Sequence, residues 1–228
     1  MQDLYTDSRQ ASARPEAVSK LLRNTYMLLG MTLLFSAATA GLSMALNFGH
    51  GIAMICSITA LVLVWFVLPK TANSSTGLLV VFAFTGLLGA ALGPMLNYYL
   101  AMPNGASVVM QALGGTALVF FGLSGYVLTT GKDFSFMGGF LMTGLIVVIV
   151  AAVGAMIAGM FGAEVSMFRL AISGAVVLLM SGFILFDTSR IINGGETNYI
   201  YATTALYLDI YNLFTSLLHI LGFLNNDD

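Results

Sequence analysis

The carboxyl-terminal stretch Gly182–Asp228, GFILFDTSRIINGGETNYIYATTALYLDIYNLFTSLLHILGFLNNDD, reads as two apolar segments joined by a short polar turn. Each segment carries one aspartate, Asp187 in Leu-Phe-Asp-Thr and Asp209 in Tyr-Leu-Asp-Ile. About 20 apolar residues in a helix cross a hydrocarbon core of about 30 Å. The stretch therefore predicts a transmembrane hairpin. A charged group inside such a helix costs about 2.5–3.5 kcal/mol on insertion scales, so it faces the bundle interior or water and marks a functional position.

The rest of the chain has the same character. Of 228 residues, 58% are hydrophobic and only 8% are charged, with mean hydropathy +0.93. A soluble domain carries roughly 25% charged residues, so this chain has too few to cover a water-facing surface. It is expected to be an all-α integral membrane protein. Breaks at polar, glycine and proline clusters predict seven spans, at about 24–46, 52–68, 77–100, 107–130, 134–160, 168–192 and 199–224. The short links leave no room for a soluble domain.

Residues 1–23 differ. This polar stretch with Arg9, Arg14, Lys20 and Arg23 reads as a cytoplasmic tail, and residues 24–228 as the transmembrane domain. Met27–Phe35 followed by Ala38-Thr39-Ala40 has the outline of a cleavable signal. The long polar leader and the apolar run continuing to Leu46 argue instead for a retained helix.

Orientation follows from lysine and arginine. The tail, the link with Lys70, the link with Lys132 and the turn near Arg190 alternate with links of few positive charges. The amino terminus is thus expected inside and the carboxyl terminus, after seven spans, outside. The recurrence of these basic links suggests three hairpins after one leading helix. Glycines recur at helical spacing in span three (Gly86, Gly89, Gly93), span four (Gly114, Gly115, Gly122, Gly125) and span five (Gly138, Gly139, Gly144, Gly154, Gly159). Small residues let helix backbones approach closely in lipid, which predicts a tightly packed bundle. Pro94 is expected to kink span three.

At 1.5 Å per residue, Asp187 and Asp209 lie roughly 7 and 14 Å from the same membrane boundary, so the two carboxylates are positioned to face each other. Asp209, Asn212, Ser216 and His219 follow a 3-4-3 spacing that puts them on one helix face, flanked by Tyr207 and Tyr211. One reading is a satisfied polar seam between helices. The other is an ion or proton path, because two carboxylates in low dielectric cannot both ionise cheaply and titrate as a unit. When ionised they attract a hard cation such as calcium, which prefers oxygen ligands, so transient calcium on Asp187 and Asp209 is expected. Arg190, at i+3 from Asp187, and Lys70 compete as the cationic partner.

No hydrolase, nucleotide-binding or zinc-protease motif is present. An intramembrane aspartyl protease lacks its Gly-Xaa-Gly-Asp-type context here. The protein is expected to be no enzyme, with no cofactor and no nucleic-acid partner. Cys56 stands alone, so no disulfide forms within the chain.

Gly89-Ala-Ala-Leu-Gly93-Pro94-Met-Leu96 and Ala112-Leu-Gly-Gly-Thr116-Ala117-Leu-Val-Phe120 resemble the signature of the Bax inhibitor-1 family. Lys132-Asp133-Phe-Ser135-Phe136, Leu206-Tyr207-Leu208-Asp209-Ile-Tyr-Asn212-Leu213-Phe214 and the terminal Gly222–Asp228 resemble its later segments. Arg23-Asn24-Thr25-Tyr26 and Gly194–Ile200 are similar to the bacterial YccA-type branch. Val80 departs from the small residue usual there. The resemblance implies seven helices with the last one central and six around it. It also implies two functions. One is a pH-sensitive calcium leak of the bacterial inner membrane, gated by a carboxylate pair at the positions of Asp187 and Asp209. An arginine near the end of span two latches that pair in such members, and Lys70 is the nearest candidate. The other is a modulator of an FtsH-type ATP-dependent membrane protease, as partner or slow substrate, with Met1–Arg23 as its handle.

Overall fold

A computed structural model describes residues 2–226, with side chains from residue 16 to residue 225. The helices are α1 (Gln2–Ala45), α2 (His50–Thr71), α3 (Ser75–Leu100), α4 (Gly105–Thr130), α5 (Gly138–Met160, after a 3₁₀ turn at Ser135–Met137), α6 (Ser166–Ile192) and α7 (Tyr199–Asn226). Seven of these segments are long and apolar enough to cross a membrane, the first being Glu16–Ala45. Spans two to seven start and stop within a few residues of the sequence expectation. At the amino terminus one helix runs through the expected tail boundary at residues 23–24. The side chains of residues 1–15, with Arg9 and Arg14, and the acidic pair Asp227-Asp228 lie outside the described residues.

Two prolines shape the bundle. Pro69 has no N–H to offer the carbonyl of Trp65, and its ring crowds that turn. The chain widens just before it into a π-helical segment, Leu63–Val67, in which the Leu68 amide donates to the Leu63 carbonyl. Pro94 lies inside α3 and leaves the carbonyl of Ala90 without its helical partner. The Ser43 hydroxyl on α1 donates to that oxygen at 2.7 Å. The break in the ladder thus becomes an interhelical hydrogen bond.

The same α1–α3 contact explains the glycines of α3. A Cβ at Gly86 would come within 2.6 Å of the Phe35 ring, and one at Gly89 or Gly93 would overlap Ser36 or Ser43. The backbones approach this closely because three successive turns present no side chain.

α7 touches α1, α3, α4 and α6. Its buried positions include Ile200, Thr203, Tyr207, Ile210, Phe214 and Leu218, which recur every three or four residues. α2 and α5 lie outside this group: α2 packs on α3 and α5 on α6, and neither helix reaches α7. The last helix is central as expected, but four of its six neighbours ring it directly. α4 and α5 make no helix-to-helix contact either, so they are sequence neighbours without forming a packed hairpin. Only Leu141 and Ala155 of α5 are buried, because a helix apolar on every side satisfies lipid with most of its surface.

Links carrying Lys70, Lys132 and Arg190 gather at one end of the bundle, here called the basic end. Asn198 ties two of them, donating to the Ala72 carbonyl at 3.1 Å and to Asn73 at 2.8 Å. At the opposite end Asn225 donates to the Pro103 carbonyl at 2.7 Å.

Candidate functional site

Asp187 and Asp209 come together at the α6–α7 contact near the basic end. Both are buried, with 9% and 5% of their surface exposed, and their carboxyl groups are close enough to interact electrostatically. α6 turns Phe183, Ile184, Asp187, Thr188 and Ile191 inward, and α7 answers with Leu206, Asp209 and Ile210. The apolar members of these faces put the aspartates there. A carboxylate only accepts, so a hydrogen bond within the pair requires one proton between them. Oδ2 of Asp209 is fully buried and has no hydrogen-bond partner among the described residues.

Arg190 is the cation at this site. Its Nη1 lies 3.8 Å from Asp187 Oδ1, and its Nη2 lies 3.7 Å from Glu196 Oε2 and donates to the Gly195 carbonyl at 3.1 Å. Its guanidinium also sits over the Phe186 ring. Lys70 is exposed and makes no salt bridge among the described residues. A helical i+3 neighbour reaches Asp187 without crossing the bundle, whereas Lys70 is exposed on α2, which touches neither α6 nor α7.

The predicted polar stripe divides. Asn212 turns its amide back to the Leu208 carbonyl of its own helix at 2.8 Å. Ser216 is buried. His219 lies ten residues beyond Asp209, ~15 Å along the helix, and its Nδ1 meets Ser173 Oγ at 2.7 Å. One helix face therefore serves two separate places.

Two features around the pair were not singled out from the sequence. A hydrogen-bonded chain runs from Tyr26 through Ser124 to Thr188, the last step 3.1 Å, and joins α1, α4 and α6 beside Asp187. The link between α4 and α5 is clamped to the end of α6, with the Phe134 amide donating to Ser189 Oγ at 2.8 Å and Ser189 donating to Asp133 at 3.3 Å. Hydrogen bonds from Ser135, hydroxyl first and amide second, hold the Asp133 carboxyl below its ordinary range, with a smaller part from Ser189. The run Asp187-Thr188-Ser189-Arg190 inside a span was the available signal, since such polar density requires partners.

A cleft of about 440 Å³ opens between α1, α3, α4 and α7, lined mostly by apolar side chains with Ser36, Thr116, Tyr207 and Tyr211 among them. Tyr207 is fully buried at its floor, bonded to Ser36 at 2.7 Å and donating to the Thr85 carbonyl at 3.2 Å. Neither aspartate lines it. Among the described residues no group of three or more His, Cys, Asp or Glu side chains could hold a metal ion. The aspartate pair alone would supply the side-chain carboxylates for any cation bound there.

Comparison with known proteins settles the family. Residues 18–226 match the family model described as inhibitor of apoptosis-promoting Bax1. The chain belongs to the Bax inhibitor-1 family. It is 56% identical over 210 residues to an uncharacterised membrane protein of Vibrio cholerae, covering 92% of each chain. It is 51% identical over 208 residues to a protein of Escherichia coli K12 named modulator of FtsH protease YccA, covering 91% of this chain and 92% of that one. An uncharacterised protein of Pseudomonas aeruginosa is 46% identical over the full length of both. Membership of this family agrees with the seven apolar helices, and the protein is a multi-pass membrane protein.

Proposed function

We propose that the protein modulates an FtsH-type ATP-dependent membrane protease of the bacterial inner membrane, as a binding partner or slowly degraded substrate. The observation that carries this is the 51% identity, over nearly the whole chain, to the Escherichia coli protein named for that role. It is a non-enzymatic reading. The polar segment Met1–Arg23 is the handle, because such a protease initiates on an accessible terminal segment. The positive-inside rule places this segment and the basic end in the cytoplasm and the carboxyl terminus in the periplasm. The test is deletion of Met1–Arg23, following the protein's own degradation by the membrane protease and the turnover of a second substrate. Slower self-degradation and release of the second substrate are expected. Unchanged rates for both overturn the reading.

The buried contact between Asp187 and Asp209 favours a second role, a pH-sensitive calcium leak gated by that pair. Protonation lets the carboxyls bond and latch α6 to α7, and loss of the proton leaves two buried like charges that repel or draw in a cation. Arg190, in place of Lys70, is the cation that moderates this charge. Calcium flux into liposomes, measured across pH for the wild type, Asp187→Asn and Asp209→Asn, checks it. Loss of the pH dependence in both variants is expected, and unchanged flux in both removes the role.

A further inference from the structure

At the end of the bundle opposite the aspartates, two cavities meet at the same two side chains, Arg169 and His219. One, of about 300 Å³, is also lined by Tyr98, Tyr99 and Ser166. The other, of about 380 Å³, runs along Ala152, Ala155, Met156 and Ile172. The first has hydroxyl groups on its wall, and the second is a greasy trough between α5 and α6.

Arg169 makes no salt bridge among the described residues, and no acceptor there takes a hydrogen bond from its guanidinium. Glu164, the nearby acid, is engaged elsewhere: it accepts from the Ser166 amide at 3.0 Å and from the Ser166 hydroxyl. Ser173 donates to the Arg169 carbonyl and so accepts from Nδ1–H of His219, leaving Nε2 to the cavities, where it donates to an anion once the ring is protonated. Five donors in a rigid fork beside an imidazole match a tetrahedral oxyanion. Arg169 lies three residues from the start of the apolar span α6, and a cation that close to the end of a span is expected at headgroup level.

We propose that Arg169 and His219 form a phosphate-binding site, with the phosphate in the hydroxyl-lined cavity and, when it belongs to a phospholipid, one acyl chain in the trough of Ala152, Ala155 and Met156. Basic pockets between transmembrane helices take lipid headgroups in this way. The small side chains of Ala152 and Ala155 leave the trough open. Glu164, bonded to Ser166 on the cavity wall, opposes the bound anion. The site is independent of both functional readings above, because Asp209 and His219 are ten residues apart on α7.

Native mass spectrometry of the full chain tests the site, with phosphatidylglycerol, diacylglycerol of the same acyl chains and inorganic phosphate titrated separately. Phosphatidylglycerol should be retained and diacylglycerol not. Arg169→Gln should weaken phosphatidylglycerol binding about tenfold, the scale of one lost charge-assisted hydrogen bond. Glu164→Gln should tighten it by a few-fold, and Lys132→Gln at the other end should leave it unchanged. Should Arg169→Gln fail to fold, His219→Gln carries the same test with a smaller loss. Inorganic phosphate bound alone at millimolar concentration and lost in Arg169→Gln identifies a free-anion site, whereas binding of the lipid alone identifies a headgroup site. Equal retention of phosphatidylglycerol and diacylglycerol overturns the proposal. So does Arg169→Gln or His219→Gln protein that binds like the wild type.

Discussion

α3 and α4 are both 26 residues long, both apolar and both marked by glycines at helical spacing, yet the bundle uses them in opposite ways. In α3 the glycines are the contact surface: Gly86, Gly89 and Gly93 admit α1 to a distance at which a Cβ would collide. In α4, Gly114, Gly122 and Gly125 have nothing within 4 Å of a Cβ position, and Gly115 meets only Leu217 at 3.4 Å. α4 is held by its other face instead, where Val108, Ala112, Phe120 and Val127 are buried and Ser124 bonds Tyr26 and Thr188, and through Phe134 and Asp133 in the following link to Ser189. The open cleft lies between α4 and α1. A small-residue pattern in a membrane helix permits close approach but does not create it; a partner helix must arrive at that face.

The largest expected effect breaks the α3 side of this comparison. Gly93→Val or Gly89→Val should destabilise the protein by at least about 3 kcal/mol, the upper part of the usual overpacking range, because the Ser36 carbonyl at Gly89 and the Cβ and backbone of Ser43 at Gly93 cannot yield as a side-chain tip would. Thermal unfolding in detergent reads this directly, and a loss under about 1 kcal/mol would mean that α1 and α3 slide apart freely. Next comes Ser43→Ala, which strands the Ala90 carbonyl and should cost about 1 kcal/mol. In a Pro94→Ala background the carbonyl regains a helical donor, so the same change should cost clearly less; a double-mutant cycle measures the coupling.

On the α4 side the sign reverses. Gly122→Ala and Gly125→Ala meet open space, and each should leave stability unchanged or raise it by up to about 1 kcal/mol through helix propensity. A loss comparable to that of Gly93→Val would show that α4 has a contact on this face which the comparison denies. The smallest effect concerns the clamp after α4. Asp133 is held below the ordinary carboxylate range in the folded protein. Its contribution to stability is therefore present above that range and lost as pH falls through the folded value. Asp133→Asn should remove that contribution, lowering stability slightly at neutral pH and leaving the acid region nearly unchanged, so that the acid limb flattens; the effect is small because the group is exposed and screened by solvent.

The candidate site was partly legible from residues. Two aspartates in consecutive spans, at similar depth from one boundary, were enough to expect a pair, because the short turn keeps the span ends close; that α6 and α7 pack along their length, as α4 and α5 do not, was decided by the structure. The choice of Arg190 over Lys70 was not legible, since both lie at the same end and only the packing of α2 outside the ring separates Lys70 from the pair. The 3-4-3 stripe from Asp209 to His219 was legible as a face. Its division between Asp187 at one end and Ser173 at the other was not, because helical spacing says nothing about what lies opposite.

By itself the sequence determined a membrane protein of seven helices, the approximate ends of spans two to seven, and a buried carboxylate on each of the last two. Those features follow from hydropathy, length and the cost of charge in lipid, which depend on the chain alone. Only the tertiary structure decided which glycines touch a neighbour, that α2 and α5 stay outside the ring around α7, and that a cleft separates α1 from α4. In a bilayer a lipid tail and a leucine are equally apolar, so hydrophobic pattern cannot tell a helix face that meets protein from one that meets lipid. Shape complementarity and the few polar partners make that choice.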